Sequence, residues 1–133
     1  MPGVGSASGT VTFTTACILV IEDEPSIRSF LRTLLNDEGY RVETAIDGLD
    51  ALQRLGCAPD LILLDLGMPV MDGYEFLARL RNLTTHSRTP VLVVSANTNG
   101  SPIDGAQGVL PKPFEVATLL GHVSGLLRSW PLA

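Results

Sequence analysis

The sequence predicts an open α/β sandwich, a mostly parallel sheet with helices on both faces. Three observations lead there: short, continuous apolar runs recur along the chain, segments with helical periodicity separate most of them, and the polar residues collect where the runs end. A continuous apolar run suits a strand covered on both faces, and strands alternating with helices imply right-handed crossovers between parallel neighbours.

Cys17 to Ile21 reads Cys-Ile-Leu-Val-Ile, the first strand, and stops at Glu22, Asp23 and Glu24. Pro25 suits the first turn of a helix, and Ile27, Phe30, Leu31, Leu34 and Leu35 recur at helical spacing until Gly39 ends it. Arg41 to Ala45 alternates as a second strand. Asp47-Gly48 marks a turn, and Leu49, Leu52 and Leu55 predict a short second helix closed by Gly56 and Pro59. Asp60 to Leu66 predicts a third strand that runs into Asp65. Met68-Pro69 and Asp72-Gly73 punctuate the next loop, and Phe76, Leu77, Leu80 and Leu83 predict a third helix. Pro90 to Ser95 is a fourth apolar strand ending in a hydroxyl, and Val109-Leu110 begins a short fifth before Pro111-Lys112-Pro113. Val116, Leu119, Leu120, Val123 and Leu127 define a last helix, which Gly121 and Gly125 weaken by about 1 kcal/mol each relative to Ala.

A chain of 133 residues is one domain, expected over 17–128 with a flexible tail at 1–16 and a short one at 129–133. The first sixteen residues are rich in Gly, Ser and Thr and lack the basic start and apolar stretch of a secretory signal. The formal charge of −5 and the lack of a basic stripe leave no electrostatic source for binding a phosphate backbone, which argues against direct nucleic-acid contact. No apolar run is long enough to cross a bilayer, so a soluble cytoplasmic protein is expected. Cys17 and Cys57, distant in sequence and without a neighbouring His or Cys, fit neither a metal cluster nor a disulfide framework and read as buried reduced thiols.

In such sheets, ligands bind outside the carboxyl ends of the strands. Glu22 and Asp23 follow the first strand, Asp65 the third, Ser95 the fourth and Lys112 the fifth, so four strand ends converge on one pocket. Each feature alone has an ordinary reading: acids favour helix starts, an aspartate caps turns, and hydroxyls are common at strand ends. Three carboxylates together would repel unless a cation joined them, and hard oxygen ligands open to a phosphate oxygen favour Mg²⁺. That ion would offset the charge that keeps a phosphoryl donor from a carboxylate nucleophile. Lys112 is the single lysine beside eight arginines, and a compact ammonium is what a point-charge contact to a phosphoryl group needs.

Together, Ile21-Glu22-Asp23-Glu24-Pro25, the stretch from Leu64-Asp65 through Leu66-Gly67-Met68-Pro69 to Asp72-Gly73, Ser95-Ala96 and Lys112-Pro113-Phe114 closely resemble the receiver domains of bacterial response regulators. The likeness covers roughly Cys17 to Arg128. It implies the flavodoxin-like five-stranded order 2-1-3-4-5. It also implies Asp65 as phosphoacceptor, Asp23 and Asp65 as direct Mg²⁺ ligands, Glu22 acting through water and the Gly67 carbonyl as the remaining protein ligand. Ser95 and Lys112 would contact the phosphoryl oxygens, with the small Ala96 leaving access. The implied donor is a histidine kinase or histidine phosphotransfer protein, the implied receiver of the signal is a downstream protein or output domain, and homodimerisation stays open. The protein would be a signalling switch that promotes its own phosphorylation and dephosphorylation rather than a metabolic enzyme.

Two departures bear on output. Val109 stands three residues before the lysine, where the family usually has an aromatic side chain. The segment 97–108 is short, rich in Gly, Asn and Pro, and without apolar periodicity, so the crossover helix that relatives carry there is expected to be missing or reduced to a turn. An alternative reading is therefore a non-phosphorylated interaction module that keeps the fold. A haloacid-dehalogenase-like phosphatase would need a second aspartate two residues after the nucleophile, where this chain has Gly67.

Overall fold

A computed structural model describes residues 15–129 of the chain. Five strands, β1 (Cys17–Ile21), β2 (Arg41–Ala45), β3 (Leu61–Leu64), β4 (Val91–Ser95) and β5 (Gly108–Pro111), form one sheet in the order β2-β1-β3-β4-β5. Every neighbouring pair is parallel, with Ile18 opposite both Val42 and Leu61 and Leu63 opposite Leu92. The expected flavodoxin-like order is thus present. The three inner strands are buried along their whole length while β2 and β5 are only partly covered, as their alternating or mixed sequences require.

Helices α1 (Pro25–Asp37), α2 (Gly48–Gln53), α3 (Gly73–Arg81) and α4 (Val116–Ser129) cover the two faces. Successive strand residues point to opposite faces, and the core divides accordingly. Leu19, Ile21, Ile62, Leu64 and Val93 pack with Ala51, Phe76, Leu77 and Leu80 of α2 and α3, whereas Ile18, Val20, Leu63, Leu92 and Val94 pack with Leu31, Leu35, Leu119 and Val123 of α1 and α4. Between β4 and β5 there is no helix, as the missing apolar periodicity predicted; Ile103 and Ala106 reach the core from an irregular segment.

Boundaries shift where polar bonds outrank apolar pattern. β3 spans Leu61–Leu64 rather than 60–66, because the Asp60 carboxylate leaves the strand to accept from the Cys17 amide at 2.8 Å. α2 stops at Gln53, and Leu55 lies in a 3₁₀ turn (Leu55–Cys57) that ends with Ala58 in the left-handed region. Two leucines and a phenylalanine expected on apolar helix faces are instead substantially exposed: Leu49, Leu83, which lies beyond the end of α3, and Phe30. The expected N-terminal tail falls almost wholly outside the described residues, and α4 continues to Ser129.

Candidate functional site

β1 delivers its two acids by simple continuation of a buried strand. The Glu22 amide still donates to the Ala45 carbonyl at 3.0 Å, so Glu22 remains held by the sheet and is only 2% exposed. Its Oε2 accepts from the Glu24 amide at 3.2 Å, and Glu24 in turn caps α1 by accepting from the Ser26 amide. Arg28, one turn into α1, reaches back to donate to the carbonyls of Glu22 (2.8 Å) and Asp23 (3.3 Å). Sequence reasoning missed this arginine as a brace for the acidic turn; its position on the helix that follows the acids was the available signal.

Asp65 arrives from β3 in the same way. Its amide donates to the Ile21 carbonyl at 3.1 Å, which fixes it beside the end of β1, and its side chain is buried to 8% exposure. The next loop returns at once: the Gly73 amide donates to the Leu66 carbonyl at 2.9 Å, so close that a Cβ on Gly73 would press on the Asp65 carbonyl oxygen and Leu66. Only glycine fits there without moving Asp65. At Gly67 a Cβ would meet only the carboxamide end of the exposed Asn97 side chain, which can swing aside. Asn97 therefore lines the rim of the site, a neighbour that no local motif marked.

One carboxylate oxygen each from Glu22, Asp23 and Asp65 lies within 4.8 Å of the others. Lys112 Nζ makes an ion pair with Glu22 Oε1 at 2.6 Å, and both side chains are largely buried. Burial raises the Glu22 carboxyl above the usual range, the negative charge of Asp65 adds to this, and the bonds from Lys112 and the Glu24 amide oppose it. Ser95 is fully buried, its hydroxyl accepting from the Asn97 amide at 3.1 Å and the Leu66 amide at 3.4 Å. The Lys112 amide donates to the Ser95 carbonyl at 3.0 Å, which ties the two strand ends together, and a cis peptide joins Lys112 to Pro113.

The fold thus brings Glu22, Asp23 and Asp65 into one cluster, sets Lys112 against it and leaves Ser95 and Gly67 at its margin. Beside it lies an open depression of about 490 Å³ lined by Tyr74, Ala96, Asn97 and the segment to Ile103. A cavity of about 530 Å³ opens at the opposite, amino-terminal end of the inner strands, beside Ala16 and Pro90, and contains none of these residues. Three acids against one ammonium leave an excess of negative charge, a donor set of hard oxygens suited to a divalent cation.

The response regulator receiver domain model matches residues 18–124. The chain belongs to that family. It is 38% identical over 118 residues to the transcriptional regulatory protein CpxR homolog of Haemophilus influenzae, and 40% identical over 117 residues to the response regulator MprA of Mycobacterium ulcerans, in each case covering 84% of this chain and 50% of the relative. The receiver domain therefore spans about half the length of the curated relatives it matches. Among solved structures it is similar to the chemotaxis protein CheY4 of Vibrio cholerae, with a TM-score of 0.77 at 38% identity over 84% of this chain and 98% of that one. It is also similar to the receiver domain of the sensor histidine kinase PA1611 of Pseudomonas aeruginosa, with a TM-score of 0.79 at 29% identity over 87% and 100% of the two chains. That neighbour holds a magnesium ion coordinated in its active site cleft. No helix among the described residues is long and apolar enough to cross a membrane.

Proposed function

We propose that this receiver domain, taken as residues 17–128, accepts a phosphoryl group on Asp65 from a phosphohistidine of a histidine kinase or histidine phosphotransfer protein. One Asp65 carboxylate oxygen attacks phosphorus, the phosphorus–nitrogen bond breaks, and the imidazole leaves with its electron pair. The observation that carries this reading is the convergence of three carboxylate oxygens within 4.8 Å, with the single lysine of the chain paired to one of them.

Asp23 and Asp65 would hold Mg²⁺ directly, Glu22 would act through water and the Gly67 carbonyl would complete the protein ligands. The ion supplies charge neutralisation for an incoming anion. Ser95 and Lys112 serve the phosphoryl oxygens: the hydroxyl has its own proton to donate, and the ammonium exchanges Glu22 for the new dianion. The bracing of Glu22 and Asp23 by Arg28 and of Asp65 by Gly73 keeps these groups in place without rearrangement of the sheet. In this reading the domain is a cytoplasmic signalling switch that promotes its own phosphorylation and dephosphorylation. It is not a metabolic enzyme, and it acts on a downstream protein or an output domain through a face lacking the usual crossover helix.

Incubation with Mg²⁺ and acetyl phosphate, followed by intact-mass measurement, tests this. The expected product is a single acid-stable, base-labile adduct that is absent from Asp65→Asn and from the native chain with a chelator. No adduct on the native chain, or an undiminished one on Asp65→Asn, defeats the proposal and favours a non-phosphorylated interaction module.

A further inference from the structure

The three acids reach their cluster with unequal support. Glu22 is still tied to β2 through its amide, and its carboxylate is engaged twice, by the Glu24 amide at 3.2 Å and by Lys112 Nζ at 2.6 Å. Asp65 follows β3 directly, its amide bonded to the Ile21 carbonyl at 3.1 Å. Asp23 stands in the bend between β1 and α1 and belongs to neither element. The bonding of α1 begins one residue later, where the carbonyl of the capping Glu24 accepts from the Arg28 amide at 2.9 Å.

The side chain of that same arginine spans the gap. Its Nη1 donates to the Glu22 carbonyl at 2.8 Å and to the Asp23 carbonyl at 3.3 Å, and the residue is half-buried. These carbonyls belong to the consecutive peptide planes on either side of the Asp23 Cα. Each plane is rigid, so holding both sets φ and ψ of Asp23 and with them the direction in which its side chain leaves the backbone. We infer that Arg28 is a positioning residue of the cation site: by holding the two peptide planes around Asp23 it aims that carboxylate at the place where the oxygens of Glu22 and Asp65 converge. The inference rests on the reading of these three acids as a Mg²⁺ site. Arg28 itself would touch neither the ion nor the phosphoryl group.

Charge and position pull in opposite directions here. A fixed positive charge near the cluster opposes a second cation, so as a charge alone Arg28 weakens Mg²⁺ binding and its removal would tighten it. As a positioning group it strengthens binding, and groups that orient metal ligands typically contribute about 10–100-fold in affinity. The full chain, labelled with ¹⁵N, is titrated with magnesium chloride while its amide resonances are followed. Arg28→Met, which keeps an apolar stem, should raise the Mg²⁺ Kd about tenfold. Arg28→Lys should recover part of that loss, since its ammonium still donates to one carbonyl. Before any Mg²⁺ is added, the Asp23 and Glu24 amide resonances should move in Arg28→Met while those of Ser95 and Lys112 stay in place. Unchanged or tighter binding by Arg28→Met, no recovery by Arg28→Lys, or shifts spread through β4 and β5 would each overturn the role of Arg28 and leave the cation site standing. No Mg²⁺ binding by the native chain would defeat the cation reading and this inference with it.

Discussion

Two crossovers run from one strand to the next over the same half of the molecule, and they are built in opposite ways. Between β3 and β4 the chain forms a nine-residue helix, α3, capped by the Asp72 carboxylate and anchored by buried Phe76, Leu77 and Leu80. Between β4 and β5 it crosses with no helix, and Ile103 and Ala106 are only partly buried. The second crossover is held instead by Arg81 at the end of α3. Its guanidinium donates to the Gly105 carbonyl, to Gln107 Oε1 at 2.9 Å and to the Thr89 carbonyl at 2.7 Å. Gln107 Oε1 also accepts from the Val91 amide at 2.8 Å, which links the segment to the start of β4. Where apolar side chains recur at helical spacing, burial does the anchoring; where they do not, a planar charged group must satisfy several carbonyls at once.

The largest expected effect falls on the helical crossover. Phe76 is fully buried, and Phe76→Ala should cost about 3–5 kcal/mol in equilibrium denaturation, enough to threaten the fold. A loss below about 1 kcal/mol would mean that α3 is not held by its apolar face.

Arg81→Ala should cost less, roughly 2 kcal/mol, because the guanidinium is partly solvated and water replaces some of its bonds. The distinguishing readout is amide exchange. Protection should fall across residues 98–107 while α1 and β1 stay unchanged, and Arg81→Lys should recover less than half of it, since an ammonium cannot span the same carbonyls. Uniform loss of protection would show that the segment is not an independent unit.

The smallest effect is a gain. Val70, in the loop before α3, is 77% exposed and held at φ 68, a left-handed conformation that a β-branched residue disfavours. Val70→Asn should stabilise the protein by about 0.5–1 kcal/mol, measured by thermal or denaturant unfolding, with no change in phosphorylation of Asp65. A destabilisation would mean that the exposed isopropyl group makes a contact of its own.

The five strands, the order of elements and the clustering of Glu22, Asp23 and Asp65 were legible in the residues alone. Continuous runs such as Leu61 to Leu64 can be covered only from both faces, and the polar residue that ends each run must lie where the sheet ends. The helix after Ser95 was likewise expected to be missing or reduced to a turn, because Asn97 to Gly105 offers no apolar stripe to bury, and a single turn is what the segment holds. Contacts between distant residues lay beyond the sequence. The Lys112–Glu22 ion pair, the reach of Arg28 and Arg81 to backbone carbonyls and the approach of Asn97 to Gly67 join elements that only the packed sheet makes neighbours. The difference is one of range. Periodicity and turn chemistry act over a few residues, whereas a long side chain settles on whichever backbone or carboxylate oxygen the folded core brings within about 3 Å.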